Sequence, residues 1–315
     1  MTHVSRPFGD VTLLGDADVA ALLPMADAIE ALEQTFREEA RGQARSMPRT
    51  RVAWEDGRMQ ALGGHLPDRR CAGVKQWAVT PRGAQPTIVL FSTESGRVVA
   101  ILEAAELGRI RTGATSGVAI RHMARQDAST LLVIGTGRQA MTQVAAAVSV
   151  RDVSQVLVAA RDRARAAAFA TRVEEQLAVP ARAVASVAEG AAEADVITAI
   201  TNATEPVLLR DMVGPASHVN AVGAIVPHAV EVDPALLAAA DLLAADAVEQ
   251  ALAESAEVRA AVERHGASAD AVVPLHRLVS GEVRAPAGLT VFKSLGLGLS
   301  DVTLAELSWR RAVAR

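Results

Sequence analysis

The chain has 315 residues, 22% of them charged and 50% hydrophobic, with a net charge of −4. That balance belongs to a globular protein with a sizeable core and leaves no basic footprint for nucleic acid or an anionic membrane surface. Cys71 is the one cysteine, which excludes an internal disulfide framework and a multi-cysteine metal site and points to a reducing, cytoplasmic setting.

The start, MTHVSRPFGD, has no apolar segment of a secretory signal, and no apolar run approaches the ~18 residues that span a bilayer. Residues 24–41 read as a helix. Met25, Ile29, Leu32 and Phe36 recur at helical spacing, and Gly42 is a natural stop. Glu30, Glu33, Glu38 and Glu39 are assigned to its solvated face. Short alternating runs follow: MPRTRVAW, RMQALGG, GVKQWAV, TIVLFST and RVVAILE. Gly and Pro separate them, and Ser95–Gly96 reads as a hairpin turn, so this region is antiparallel. Residues 103–124 return to a helical pattern.

From Thr130 the pattern becomes strand–helix alternation. LLVIG, VLVAA, ARAVA, DVITAI, HVNAVG and DLLAAD are short apolar strands between helices or loops, the mark of βαβ units and a parallel sheet. The fold class expected is α/β. A Rossmann-type doubly wound domain, residues 120–288, is inserted into a discontinuous α+β domain of residues 1–119 and 289–315. The last helix contains TLAELSWRRAV.

LLVIGTGRQA carries G-x-G-x-x-A in Gly135, Gly137 and Ala140, after a strand and before a helix. Gly135 allows the tight turn, Gly137 lets backbone approach a pyrophosphate, and Ala140 permits close helix packing. The helix N-terminus adds free N–H groups for phosphate. This reads as a dinucleotide site. The next strand ends in VLVAARDR, with no acidic residue at its tip and Arg161 and Arg163 following. That favours NADP(H) over NAD(H), with Asp162 the dissenting residue unless it caps the helix. Arg49, Lys75 and Arg111 are candidate ligand cations, or surface charges on apolar stems. Together they suit the carboxylate of an α-amino or α-imino acid. The histidines fall in no metal-binding spacing, and no metal site is expected.

These pieces occur in a specific order: GVK, Pro86–Thr87, the SG hairpin, RTGA, IGTGRQA, NAVGA-x-x-P-x-x-x-E and TVFKSLG. The chain therefore resembles the ornithine cyclodeaminase/mu-crystallin family from about Arg49 to its last helix. The resemblance implies that the discontinuous domain binds a small carboxylate substrate and forms a homodimer through its sheet. It implies that Arg49, Lys75 and Arg111 hold the carboxylate, with Lys75 and Arg111 catalytic. It also implies cofactor contacts at Thr87, Thr112, Gly135, Thr136, Gly137, Gln139, Arg161, Asn220, Val222, Gly223 and Ser294.

In ornithine cyclodeaminases the turn after NA-x-G carries an Asp that handles the substrate amine. Counted from Gly223, this chain has Ile225 there, and an isoleucine neither moves a proton nor pairs with an ammonium. Ammonia loss from ornithine is thus disfavoured. The expectation is NAD(P)H-dependent reduction of a small α-imino acid or cyclic ketimine such as pyrroline-2-carboxylate, or oxidation of the matching amino acid. A lyase, and a ligand-binding protein of the mu-crystallin kind, are the alternatives. Ile225 and Val226 would line the substrate pocket. His228 is either an acid at its rim or an exposed loop residue, and Glu231 would tie the loop to its domain.

Overall fold

The computed structural model describes residues 11–314. The first part of the chain forms β1 (Thr12–Leu14), α1 (Asp16–Leu22), α2 (Met25–Ala40), β2 (Arg45–Trp54), β3 (Gly57–Leu66), β4 (Cys71–Thr80), β5 (Gly83–Ala84), β6 (Thr87–Ser92), β7 (Val98–Glu103) and α3 (Ala105–Met123). The strands make one sheet in the order β1-β7-β6-β4-β3-β2, with β5 beside β4. All its pairs are antiparallel except β1 with β7. The β6–β7 turn places Gly96 at φ 68°, as the Ser95–Gly96 hairpin requires.

Strand β2 is a sheet edge exposed on both faces, with Val52 69% and Trp54 44% accessible. Helix α2 buries Ile29, Leu32 and Phe36 as its spacing predicts. Its acidic face departs from expectation, because Glu33 and Glu38 are buried. Glu33 pairs with Arg37, while Glu38 accepts from Gln34 and Arg69. These partners offset the loss of water.

The second part comprises β8 (Thr130–Ile134), α4 (Ala140–Val150), β9 (Gln155–Ala159), α5 (Arg163–Leu177), β10 (Ala181–Ala183), α6 (Val187–Glu193), β11 (Val196–Ala199), β12 (His218–Ala221), α7 (Pro234–Ala238), β13 (Leu242–Ala245), α8 (Val248–Glu254), α9 (Ala256–His265), β14 (Val273–Pro274), α10 (Leu275–Val279) and β15 (Thr290–Lys293). Its eight strands are all parallel, in the order β10-β9-β8-β11-β12-β15-β13-β14. The central strands are buried on both faces, which explains their continuous apolar runs. The order reverses between β8 and β11, the topological switch point where such sheets bind ligands.

The chain ends in α11 (Gly298–Val313), which packs on β3, β4 and α2. A Cβ on Gly298 would lie 2.4 Å from the Gly63 nitrogen, so the glycines of ALGG and GLGLS let helix and strand meet at backbone distance. The compact units divide at Arg111/Thr112 and Gly296/Leu297. The sequence-based boundaries at 119/120 and 288/289 differ from these. The second falls ahead of β15, which hydrogen-bonds into the parallel sheet between β12 and β13, so the return to the first unit comes after Gly296. No helix among the described residues is long and apolar enough to cross a membrane.

Candidate carboxylate and cofactor sites

Lys75 lies mid-way along β4, between Leu62 of β3 and Ile88 of β6 in register. Only 6% of it is exposed. A buried ammonium needs a counter-charge, and it comes from Asp301 in the first turn of α11, whose Oδ1 accepts from Lys75 Nζ at 2.8 Å. Arg111 Nε donates to the same oxygen at 3.2 Å. The Lys75 ammonium also sits 5.7 Å from the centre of the Trp77 ring. Burial pulls the Lys75 pKa down, Asp301 pushes it back, and Arg111 and Arg49 pull it down again, leaving it below the ordinary lysine value. Burial opposes the Asp301 charge, yet Arg111 and Lys75 hold its carboxyl below the usual range. Two of the cations read from the sequence, Arg49 and Arg111, therefore act on the third, Lys75, inside one unit.

The second unit carries the glycine turn. Gly135 has φ 108°, and a Cβ there would lie 2.6 Å from the Ile200 carbonyl oxygen, so only glycine fits. Gly137 is exposed, with nothing within 4 Å of where its Cβ would be, and Ala140 is fully buried at the start of α4. An open turn ahead of a helix N-terminus at the switch point fits a dinucleotide pyrophosphate. Thr136 and Gln139 flank it, half-buried. At the end of β9, Arg161 and Arg163 are exposed. Asp162 is the N-cap of α5, accepting from the Ala164 and Arg165 amides at 2.9 and 3.2 Å. That carboxylate is engaged by its own helix.

The loop after β12 is held by a buried carboxylate. Glu231 is completely buried and accepts from the amides of Thr201, Gly223 and Ala224 and from the Thr201 hydroxyl. A Cβ on Gly223 would lie 2.0 Å from the Thr201 carbonyl oxygen, so the turn closes only with glycine. Lys293, at the end of β15, donates to the Ala224 carbonyl and pairs with Glu257. Glu257 in turn accepts from the amides of Glu231 and Val232. From this frame Ile225, 44% accessible, and His228 reach solvent, with Val226 half-buried.

The ornithine cyclodeaminase/mu-crystallin family profile matches residues 10–315. The chain belongs to the ornithine cyclodeaminase/mu-crystallin family. Among curated relatives of this family member, Delta(1)-pyrroline-2-carboxylate reductase of Bacillus cereus is 36% identical over 72% of this chain and 71% of its own. Alanine dehydrogenase of Archaeoglobus fulgidus is 30% identical over 97% of this chain and 96% of its own. Among solved structures, Delta(1)-pyrroline-2-carboxylate reductase of Thermococcus litoralis, in complex with NADH and L-proline, matches with TM-score 0.91 and 28% identity. It covers 96% of this chain and 98% of that one.

Within this family frame, several residues that the resemblance assigns to the cofactor lie in the interior. Thr112, Asn220, Val222 and Ser294 are buried. Asn220 bonds His218 and Thr198 through its side chain, and Ser294 donates to Asp246. The Asn220 and Ser294 side chains are thus bonded within the second unit. Thr87, half-buried, begins β6 in the first unit. The sequence reading missed Asp301, Lys293 and Glu257. A compositional signal was present: the chain holds two lysines, Lys75 and Lys293, among 32 basic residues. A chain that uses Arg almost everywhere keeps Lys where a compact ammonium is required.

Proposed function

We propose that this protein is an NAD(P)H-dependent oxidoreductase that reduces the C=N bond of a small α-imino acid or cyclic ketimine, pyrroline-2-carboxylate being the model substrate, or oxidises the matching amino acid. One observation carries the reading: a buried lysine with a nearby carboxylate and two arginines around it, in a family member whose 225 position is aliphatic. Arg49 and Arg111 bind the substrate carboxylate, with Lys75 adding a third positive charge. The Gly135–Ala140 turn would hold the pyrophosphate of a dinucleotide, whose nicotinamide would supply the hydride. Lys75 holds the proton that the imine nitrogen requires, since an arginine does not release one. Orientation of the substrate by a charged clamp contributes much of the rate.

Ile225 and Val226 give the substrate an apolar neighbour, which suits a ring or short alkyl chain. Ammonia loss from a diamino acid needs an acid at position 225 and is the lesser reading. NADP(H) is preferred over NAD(H), because Arg161 and Arg163 stand at the end of β9 while Asp162 is occupied as a cap. The exposed edge of β2, with Met47, Val52, Trp54 and Met59 accessible on and beside it, supports a homodimer formed by pairing this edge with a second copy. A cytoplasmic location fits the single, buried Cys71.

The test is loss of reduced-nicotinamide absorbance with NADPH and separately NADH, offering pyrroline-2-carboxylate, piperideine-2-carboxylate, and pyruvate with ammonia. Turnover of an imine is the expected result. Ammonia release from ornithine without net cofactor change would overturn it.

A further inference from the structure

We propose that Asp301 is a positioning residue that keeps the buried Lys75 ammonium charged and aimed, so that Lys75 has a proton to give. This rests on the reading of Lys75 as the proton holder.

Asp301 is completely buried, so it acts through its neighbours and does not touch a ligand. Its Oδ1 takes both the Lys75 ammonium and the Arg111 Nε. Among the described residues its Oδ2 has no hydrogen-bond partner. The charged groups acting on Lys75 are Asp301 from α11, Arg111 from α3 and Arg49 from β2. From its own strand it meets Trp77, and its register partners Leu62 and Ile88 are apolar. The carboxylate of Asp301 is thus the group in this list that favours the charged form. Burial and both guanidiniums favour a neutral amine. In the reduction, the Lys75 N–H bond breaks, the proton goes to the substrate nitrogen, and the lone pair stays on Nζ beside Asp301. Solvent then returns the proton.

The small lysine count makes this directly measurable. Protein labelled with 13C at lysine Cε gives two signals, and the Lys75 signal is assigned by its loss in Lys75→Arg. In the unmutated protein the Lys75 midpoint is expected above neutral pH, and a midpoint below neutral would overturn the proposal whether or not any variant folds. In Asp301→Asn, shown folded by its circular dichroism melt, the midpoint is expected to drop by about 1–3 pH units. An unchanged midpoint would also overturn it.

Kinetics follow the same sign. The high-pH limb of imine reduction moves to lower pH in Asp301→Asn, kcat falls more than KM rises, and NADPH binding is unchanged. Asp301→Glu, which keeps the charge, restores part of the limb. If the NMR midpoint moves but neither protein reduces an imine, the role of Asp301 stands and the functional reading fails. If an imine is reduced with an unmoved midpoint, the reverse holds.

Discussion

Lys75 and Lys293 share a residue type and deep burial, and they differ in what surrounds them. Lys293 sits in a closed network. Its ammonium meets Glu257 and the Ala224 carbonyl, Glu257 also takes two amides, and the nearby Glu231 carboxylate takes three amides and a hydroxyl. Lys75 is flanked by one carboxylate with an unpartnered oxygen and by two guanidiniums. A charge saturated by backbone donors is architecture, here fastening the loops after β11 and β12. A charge crowded by like charges is less comfortable alone, and an anionic ligand relieves it. The contrast separates a lysine saturated by its network from one with room for an anionic ligand, and the role proposed for Lys75 rests on it.

Exchanging each lysine for methionine is the strongest way to break that contrast. In Lys75→Met, turnover per folded molecule should fall by about 10²–10⁴. In Lys293→Met, Glu257 is left buried without its cation, which should cost about 3–5 kcal/mol of stability. Paired urea unfolding and imine-reduction assays on the same preparations check both. If Lys75→Met proved merely less stable, with full turnover per folded molecule, the assignment of the two lysines would be lost.

Why one lysine was legible in the sequence and the other was not is a matter of range. Lys75 stood out because an ammonium interrupts an otherwise half-buried strand. Its partner lies 226 residues away, and Asp301 reads locally as an ordinary acidic residue in a first helical turn. Only the packing of α11 on the sheet buries it. The parallel sheet was readable because strands covered on both faces are continuous apolar runs. Strand β15 was not, since its run is only four residues long and ends in Lys293. Strand β1, three residues long and paired with β7, had too little pattern to be seen. Glu33 and Glu38 looked solvated because the tertiary packing that buries them, Arg69 against Glu38 included, is distant in sequence, although Arg37 stands at i,i+4 spacing from Glu33.

The contrast also extends to arginine, whose charge is fixed. In the second unit Arg161 is exposed beside an aspartate already used as a cap. If Arg161 holds a ribose 2′-phosphate, Arg161→Ser removes a charge-assisted bond, about 1.5–3 kcal/mol. The expected result is roughly a 10–100-fold rise in KM for NADPH with little change for NADH. Equal effects on both cofactors, or none, would leave Arg161 as a solvated helix-start charge and remove the preference for NADP(H).

The smallest expected effect concerns His218, a titratable group in the second unit that should matter for stability alone. Its Nδ1 meets the Thr290 hydroxyl at 2.9 Å and its Nε2 meets Asn220 Oδ1 at 3.1 Å. An Nε2–H donates to Asn220 Oδ1, while Nδ1 and the Met123 carbonyl, 3.2 Å from Thr290 Oγ1, compete for the one Thr290 hydroxyl proton. Burial lowers its pKa to about 4 against an ordinary 6.5; the Asn220 bond opposes this and Arg151 adds to it. The folded protein therefore holds this proton less tightly than the unfolded chain. Its contribution to stability is complete above about pH 6.5 and is lost as pH falls from there towards 4, up to about 3 kcal/mol. His218→Gln keeps an amide in the space without a titrating group. It should be less stable at neutral pH, and its urea midpoint should fall less steeply on acidification. Equal slopes for the two proteins would move the acid sensitivity to another group, while an altered imine-reduction pH profile in His218→Gln would mean that the second unit's buried polar groups are not purely structural.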